Sequence, residues 1–287
     1  MSNSGVQTHP GVDAEVNYVR NAPDTRDEKL TFVTEDETHN TMVTLPGQLV
    51  HVINGREVVT DLDREGFVLV HHESAIADFH LIQEDPQVDQ QYIDEIAAFL
   101  EEFLGATRVM LLGGGKKRYG ESATDRLAEL RNAKPARYPH ADNTDESSMN
   151  LVNMIDTFVD DITLADYSRY ALYNVWRTFT PPPQDFPLAV CDARTVSPED
   201  EVTVTAITLE RDAGEIIHDT TSFSYSPKHR WYYYPDMTID EVIVFKQHDS
   251  DPSRAIRVPH TAFTDPTCPP GVPTRASVEM RALALFA

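Results

Sequence analysis

The second half of the chain is a succession of short strand-like segments separated by turns, and this pattern limits the fold more than any other feature of the sequence. The segments are Tyr167–Phe179, Leu188–Cys191, Glu201–Leu209, Ile216–Ser226, His229–Tyr234, Glu241–Gln247, His260–Phe263 and Ser277–Phe286. Pro, Asp, Gly and Ser residues separate them, and no long helical pattern lies between them. Many short strands at nearly regular spacing are typical of an all-β sandwich or barrel. We therefore expect this half of the chain to close into one barrel.

The first half of the chain combines strand and helix patterns. Over residues 90–104 the apolar residues recur at helical spacing, which predicts a helix that packs on the outside of the barrel. Shorter helices are expected over residues 121–131 and from about residue 150 to residue 160. The Asn54-Gly55 pair predicts a tight hairpin that joins two strands within residues 48–60.

Neither a linker nor an internal repeat divides the chain. We therefore predict a single domain over residues 1–287. Within it, residues 1–48 form an N-terminal extension, residues 49–135 form flanking strands and helices, and residues 136–286 form the barrel core.

The composition excludes several classes of protein. With 24 Lys and Arg against 47 Asp and Glu, the formal net charge is -23, and such a surface repels the phosphate backbone of nucleic acids. No segment approaches the roughly 18 consecutive apolar residues of a membrane helix. Two cysteines, Cys191 and Cys268, are too few for a disulfide framework or a multi-cysteine metal site. Because no secretory signal is visible either, we expect a cytoplasmic protein that binds neither nucleic acid nor membranes. A homodimer is compatible with these features.

Two pairs of the form His-x-Asp/Glu are candidates for a metal site. Non-haem iron oxygenases hold their metal with two histidines and one carboxylate, and alternate residues of an extended segment project to the same side. The pairs are His71–Glu73 and His140–Asp142. With 11 His and 47 acidic residues in 287, chance gives roughly two such pairs. The presence of such a pair is therefore no evidence for a metal site by itself.

The position of the second pair along the chain is more informative. His140 and Asp142 lie just ahead of the barrel strands, His260 lies on a late strand, and Arg275 and Ser277 begin the final strand. An Arg and a Ser two residues apart on a strand project to one face and can bind a carboxylate together. The order of these elements matches that of 2-oxoglutarate-dependent oxygenases on double-stranded β-helix folds.

The sequence also resembles a known family at a series of motifs. These are Asn174-Val-Trp-Arg177, Pro187-Leu-Ala-Val-Cys191-Asp-Ala-Arg194, His229-Arg-Trp-Tyr-Tyr233, Asp240-Glu-Val, Pro259-His-Thr-Ala-Phe263 and Arg275-Ala-Ser-Val-Glu-Met-Arg281. They resemble the hydroxylases and desaturases that include gibberellin desaturase, cephamycin hydroxylase and the aspergillic-acid-pathway hydroxylase. The resemblance extends from about Leu49 to the C-terminus and is dense after Tyr170. It implies a mainly β double-stranded β-helix (a jelly-roll or cupin-like barrel) with flanking N-terminal helices, in a single oxygenase domain.

The resemblance also implies roles for individual residues. His140, Asp142 and His260 are the expected iron ligands, and Arg275 with Ser277 is expected to bind the 5-carboxylate of 2-oxoglutarate. Arg281 shares a strand face with Arg275 and is the alternative contact for this cosubstrate.

Two further residues are candidates for substrate binding. Arg177 and Tyr173 lie on one strand, and Arg177 could face the barrel lumen and bind a substrate carboxylate. A structural ion pair of Arg177 with Glu279 or Asp192 is an equal alternative.

The implied activity is oxidation of an unactivated C–H bond in a small specialised metabolite, with Fe(II), 2-oxoglutarate and O2, and with ascorbate as the reductant in vitro. Hydroxylation, desaturation and oxidative cyclisation all stay open, and an amino-acid-derived substrate is one candidate. The segments Gly113–Arg118 and Asn143-Thr144 depart from the family pattern where substrate could enter. The substrate therefore cannot be inherited from the family.

Two other functions compete with the oxygenase. A cupin-like binding protein would share the barrel, but it normally groups its ligands as His-x-His with a nearby Glu, whereas this chain has His140-Ala-Asp142. An oxygen-independent metalloenzyme on the same barrel would not need Arg275 and Ser277.

Overall fold

The computed structural model describes residues 10–19, 31–33, 46–120, 123, 134–210 and 214–287. The helix expected over residues 121–131 lies outside these residues, apart from residue 123. Most of the expected N-terminal extension, residues 1–48, lies outside them as well.

Two helices and fifteen strands make up the described part of the chain. The helices are α1 (Pro86–Leu104) and α2 (Asp145–Phe158). The strands are β1 (Gly11–Val16), β2 (Thr31–Val33), β3 (Gln48–Asn54), β4 (Phe67–His71), β5 (Arg108–Leu111), β6 (Lys116–Tyr119), β7 (His140–Ala141), β8 (Arg169–Thr178), β9 (Leu188–Cys191), β10 (Glu201–Glu210), β11 (Gly214–Phe223), β12 (Trp231–Tyr233), β13 (Glu241–Asp249), β14 (His260–Ala262) and β15 (Ala276–Phe286). The mainly β prediction is confirmed.

The strands form two sheets. One has nine strands in the order β1-β3-β12-β9-β14-β7-β11-β10-β2, and the other has six strands, with β4-β13-β8-β15-β5 in order and β6 paired to β15. Strands from the first half of the chain extend both sheets, so β1 and β3 continue the sheet that contains β7 and β14. The flanking strands are thus hydrogen-bonded parts of the same two layers.

The six-stranded sheet is covered on both faces. On one face of β8, Tyr173 and Val175 pack with Tyr92 and Ile96 of α1. On the opposite face, Trp176 packs with residues of the nine-stranded sheet. This alternation of β8 follows from the two-residue period of a strand. It places α1 outside the barrel, as its apolar periodicity predicts, and leaves a lumen between the sheets.

The hairpin prediction at Asn54-Gly55 is wrong. β3 ends at Asn54, and a 3-10 turn over Gly55–Glu57 follows in place of a second strand. The Asn54 side chain accepts a hydrogen bond from the Arg56 N–H at 2.9 Å, a local contact that competes with strand pairing. β3 pairs instead with β1 and, in parallel, with the distant β12.

The second helix begins earlier than its apolar pattern indicates. α2 starts at Asp145 rather than near residue 150, because Thr144 caps it. Thr144 Oγ1 accepts the Ser147 N–H at 3.0 Å, and Ser147 Oγ accepts the Thr144 N–H at 2.8 Å. This capping box satisfies N–H groups that the first turn would otherwise leave without partners. The chain therefore turns sharply into α2 just after residue 142.

Candidate metal centre

Two neighbouring strands of the nine-stranded sheet bring distant histidines together. His140 on β7 and His260 on β14 are directly opposed in the antiparallel pairing. Their ring centroids lie 4.2 Å apart. Asp142 follows β7 directly and projects to the same side as His140, as alternation on an extended segment requires. Residues separated by more than a hundred positions thus share one corner of the lumen.

These three side chains form a group that could hold a metal ion. Each offers one ligand atom, and these atoms all lie within 4.8 Å of one another. The Nε2 atom of His140 is 3.9 Å from Oδ1 of Asp142. Asp142 and His260 are buried, and the His140 side chain is 14% exposed. Two imidazoles and one carboxylate are the donor set of the non-haem iron(II) facial triad.

Hydrogen bonds set the tautomer of both imidazoles. The Nδ1 of His140 contacts the Tyr138 carbonyl oxygen at 3.0 Å, and the Nδ1 of His260 contacts the Val258 carbonyl oxygen at 3.2 Å. Because a carbonyl only accepts, each Nδ1 carries the proton and donates it, which leaves the Nε2 lone pair for a metal. Burial lowers the pKa of His140 to about 4 and also lowers the pKa of His260. Both rings are therefore neutral at pH 7.

Asp142 is ionised in the same surroundings. Burial alone would raise the pKa of its carboxyl, but Arg281 and the nearby histidines outweigh burial and hold that pKa below its ordinary value. An Arg281 Nη2 atom lies 2.9 Å from Oδ1 of Asp142, and the Asn174 amide donates to Oδ2 at 2.7 Å. The carboxylate is thus available as an anionic ligand at neutral pH.

Arg275 and Ser277 carry buried polar atoms without partners in the described part of the chain. Arg275 is 2% exposed, its guanidinium lies 5.6 Å from the Trp176 ring centroid, and its Nε has no hydrogen-bond partner there. Ser277 Oγ also lacks one. Buried polar groups of this kind call for an explanation such as a ligand. Burial lowers the pKa of Arg275 to about 10, so it is still a cation at pH 7 and can bind an anion.

Arg177 and Tyr173 lie on the wrong face of β8 for the substrate role predicted above. Arg177 donates to the Ile239 carbonyl at 2.9 Å and contacts His72, and its guanidinium lies 5.8 Å from the Tyr92 ring centroid of α1. Tyr173 accepts a hydrogen bond from Arg169 at 3.2 Å. Both side chains belong to the layer under α1, because odd-numbered residues of β8 point away from the lumen. The expected pairing of Arg177 with Glu279 or Asp192 does not appear among its contacts either.

The competing pair is on the surface. The side chains of His71 and Glu73 are 69% and 81% exposed, with 3.6 Å between Nε2 and Oε1. They do not join the group of potential metal ligands among the described residues.

Two side chains that contact Asp142 had no assigned role in the sequence interpretation. They are Asn174, which belongs to a family motif, and Gln247, whose Oε1 accepts the Asp142 N–H at 2.8 Å. The sequence signal that could have identified Asn174 was its polarity, because an amide inside the apolar segment Ala171–Trp176 needs a buried hydrogen-bond partner.

The sequence profile of the family described as YDMC, oxidoreductase/YMDC permease-like domain, matches residues 16–285. The chain belongs to this family. No helix within the described ranges is long and apolar enough to span a membrane.

Curated relatives of this chain are named as hydroxylase/desaturases and as Fe(II)/2-oxoglutarate-dependent dioxygenases. The hydroxylase/desaturase efuI of Hormonema carpetanum is 28% identical over 96% of this chain and 96% of its own length. The Fe(II)/2-oxoglutarate-dependent dioxygenase nvfI of Aspergillus novofumigatus is 28% identical over 78% of this chain and 77% of its own length. A solved structure titled iron and alpha-ketoglutarate-dependent endoperoxidase NvfI matches 98% of this chain and 100% of its own, with a TM-score of 0.80 and 26% identity.

The double-stranded β-helix and the enzyme class are therefore confirmed. The chain is an Fe(II)/2-oxoglutarate-dependent dioxygenase, and it requires Fe(II), 2-oxoglutarate and O2. The residues described above fit these groups, because two neutral imidazoles and a carboxylate suit Fe(II), and the partnerless polar atoms of Arg275 and Ser277 suit a dianionic cosubstrate.

Proposed function

We propose that His140, Asp142 and His260 hold the Fe(II) of this dioxygenase. The observation that carries the proposal is their convergence within 4.8 Å, with both Nδ1–H groups bonded to backbone carbonyls. Three ligands on one face of an ion leave positions for cosubstrate and O2. The bound ion, with 2-oxoglutarate and O2, supplies an oxidant strong enough for unactivated C–H bonds while 2-oxoglutarate is converted to succinate and CO2.

Arg275 with Ser277 is the proposed binding site for the 5-carboxylate of 2-oxoglutarate. Arg275 offers a cation in a dry environment, where a charge-assisted hydrogen bond is stronger than in water. Ser277 lies two residues further on, on the same face of β15, and its Oγ has no other partner among the described residues. Arg281 is already engaged with Asp142 at 2.9 Å, which favours Arg275 over Arg281 as the main contact.

The proposed substrate is a small specialised metabolite, and the proposed reaction is oxidation of one of its C–H bonds. The curated relatives named as hydroxylase/desaturases support the reaction class. The lumen walls near the site include Trp176 and Phe245, and Phe245 lies 4.8 Å from the His260 ring, centroid to centroid. These side chains exclude water and limit the positions a substrate can take. Whether hydroxylation, desaturation or ring formation follows depends on substrate geometry.

We further propose a single oxygenase domain over residues 1–287, with its barrel core over residues 136–286. Strands from Gly11 to Phe286 share the two sheets, which supports this division. A cytoplasmic location is proposed because both cysteines are free thiols. The proposed partners are small molecules alone, with a homodimer as the candidate oligomer.

Spectroscopy of the metal complex tests the site. Anaerobic Fe(II) plus 2-oxoglutarate should give the weak visible charge-transfer band of a chelated keto acid. His140→Ala and His260→Ala should abolish the band, because two remaining ligands hold iron poorly. His71→Ala and Glu73→Ala remove the surface pair and should keep it. Loss of the band in His71→Ala with retention in His140→Ala would contradict the assignment.

Turnover tests the substrate class. The enzyme is incubated with Fe(II), ascorbate, 2-oxoglutarate and pooled amino acids, small peptides and carboxylic metabolites, and succinate is measured by mass spectrometry. We expect succinate formation above the substrate-free rate with at least one pool, and no such increase in Asp142→Ala. An increase that persists in Asp142→Ala would reject Asp142 as a ligand.

A further inference from the structure

Asp142 lies where its own backbone gives it little support. The strand before it, β7, has only two residues, and α2 begins three residues later. A carboxylate ligand has to keep one orientation toward the metal, and outer hydrogen bonds usually supply that restraint. For Asp142 the restraint must come from outside its own strand.

Three side chains of the opposite sheet contact Asp142. Gln247 on β13 accepts the Asp142 N–H at 2.8 Å, Asn174 on β8 donates to Oδ2 at 2.7 Å, and Arg281 on β15 contacts Oδ1 at 2.9 Å. Asn174 and Arg281 are directly opposed in the β8/β15 pairing. Two neighbouring strands of the six-stranded sheet therefore present one donor to each oxygen of a carboxylate that belongs to the nine-stranded sheet.

A β-bulge places the third contact. The pairing of β13 with β8 changes register between Lys246 and His248, so Gln247 is an extra residue in its strand. A bulge redirects side chains and is often found beside active sites. Gln247 is 2% exposed and reaches across the lumen to the Asp142 backbone.

We propose that Asn174 and Arg281 are positioning residues that fix the Asp142 carboxylate with Oδ1 toward the His140 imidazole. This inference rests on the proposed role of Asp142 as an iron ligand. Rotation of the carboxylate about Cβ–Cγ would break the hydrogen bonds on both oxygens at once. The orientation is thus set before metal arrives, so less conformational entropy is lost on binding. Arg281 also compensates the buried negative charge.

The proposal makes Arg281 part of the metal-binding apparatus rather than a cosubstrate residue. Its Nε lies 3.5 Å from Oε1 of Glu279, the neighbouring residue on the same face of β15. The guanidinium therefore lies between two carboxylates, and contact with a third, from 2-oxoglutarate, is not needed to explain its position.

Metal affinity in positioning variants tests the proposal. Co(II) replaces Fe(II) because its visible absorption reports coordination number and geometry without turnover. Asn174→Ala and Arg281→Gln should each weaken Co(II) and Fe(II) binding by about 10- to 100-fold and alter the Co(II) spectrum. Arg281→Lys keeps the cation and should lose less affinity than Arg281→Gln. Where the larger changes prevent folding, Asn174→Ser and Arg281→Lys are compared with the native protein by the same titration.

A control separates this effect from general loosening of the sheet. Arg169 lies on β8 like Asn174, and its Nη2 lies 2.7 Å from Oδ2 of Asp249. This ion pair does not contact the proposed metal ligands. Arg169→Gln should leave the Co(II) affinity and spectrum unchanged. Native affinity and spectrum in folded Asn174 and Arg281 variants would overturn the inference, as would an equal loss in Arg169→Gln.

His140→Ala distinguishes the inference from the proposed function. If His140→Ala weakens Co(II) binding and the Asn174 and Arg281 variants do not, the metal site stands and the positioning role fails. If His140→Ala binds Co(II) as the native protein does, the proposed metal site itself fails.

Discussion

Arg275 immediately precedes β15 and Arg281 lies in the middle of that strand, and the two arginines differ in what they contact. Arg281 pairs with Asp142, whereas the guanidinium of Arg275 lies 5.6 Å from the Trp176 ring centroid and forms no ion pair with the residues that the structure describes. A buried cation without an internal anion at hydrogen-bonding distance is suited to an anionic ligand. Replacement of Arg275 should therefore impair 2-oxoglutarate binding, whereas replacement of Arg281 should impair metal binding.

Arg275→Ala should weaken 2-oxoglutarate binding while leaving metal affinity intact. A charge-assisted contact in a largely dry site is worth on the order of 1.5–3 kcal/mol, so the Kd for 2-oxoglutarate should rise about ten- to a hundredfold. The measurement is an anaerobic titration of the Fe(II) protein with 2-oxoglutarate, alongside a metal titration. Arg275→Lys, which keeps the charge but not the planar fork, should be intermediate. A larger loss of 2-oxoglutarate affinity in Arg281→Gln, at saturating metal, would assign the cosubstrate to Arg281.

For single residues, the type and spacing of side chains predicted candidate site residues, but they did not predict which side chains contact each other. The convergence of His140, Asp142 and His260 could be predicted from their order along the chain and from the family resemblance, since a His-x-Asp pair alone is no more frequent than chance gives. The role of Asn174 could not, since nothing local links it to a residue 32 positions earlier. Arg177 shows the opposite error, because a cation within a strand suggested a substrate-binding role that its position does not support. Its side chain lies under α1, and the sequence alone does not tell which face of β8 packs against that helix.

Elements of the six-stranded sheet are also joined by a buried ion network. Lys246 on β13 is fully buried, and its Nζ lies 2.8 Å from Oδ1 of Asp63 and 2.5 Å from Oδ2 of Asp249. Arg169 on β8 contacts Asp249 as well, at 2.7 Å. Burial would raise the pKa of Asp249, but these cations lower it overall. The network thus ties β8 and β13 to the loop before β4.

Lys246→Met should destabilise the protein although it is apolar and of similar length. Removing one partner of a buried pair leaves charge without compensation, which typically costs about 3–5 kcal/mol. Arg169 still contacts Asp249, so the lower end of this range is expected, as a decrease in the free energy of unfolding measured in urea. The matched control is Arg108→Met, which breaks a largely exposed pair with Asp161 and should change stability by less than about 1 kcal/mol. Equal effects of the two substitutions would contradict the structural role of the network.

Strand existence was easier to predict than strand partnership. The expected segments after residue 166 correspond to β8 through β15, because alternating and buried apolar runs are local signals. The partners of β3 are not local, since β12 lies almost 180 residues further along. The Asn54-Gly55 hairpin failed for this reason: the preference of a dipeptide for a tight turn was outweighed by an Asx-type contact and by pairing across the sheet.

We expect the folding stability of the whole molecule to depend on pH through its buried histidines. The pKa is lowered, chiefly by burial, at His72, His140, His218, His229, His248 and His260. Burial acts in the opposite sense on three carboxyl groups and raises their pKa values, at Asp89, Glu201 and Glu279. The histidines titrate from an ordinary pKa near 6.5 and the carboxyls from ordinary values near 4, and the histidines are also more numerous.

We therefore expect the metal-free protein to lose stability as the pH falls from 7.5 to 5.5. A histidine whose folded pKa is lowered binds its proton more readily in the unfolded chain. Its contribution to stability is thus fully present above pH 6.5 and decreases as the pH falls toward the folded pKa. Thermal unfolding after removal of metal should give a falling Tm over this range. Calorimetry in buffers of different ionisation enthalpy should show proton uptake on unfolding at pH 6 and little at pH 8.

Replacement of His229 tests whether a buried histidine causes this pH dependence of Tm. His229 Nδ1 lies 3.1 Å from the Tyr18 hydroxyl and Nε2 lies 3.2 Å from Oδ2 of Asp200, so a neutral ring accepts from the tyrosine and donates to the carboxylate. His229→Gln removes this titrating group, and its Tm should fall less steeply between pH 7.5 and 5.5 than that of the native protein. His51, whose side chain is 52% exposed, is the control, and His51→Gln should keep the native slope. A Tm that is constant or rises toward pH 5.5 in the native protein would show that the buried carboxyls, not the histidines, dominate the proton balance.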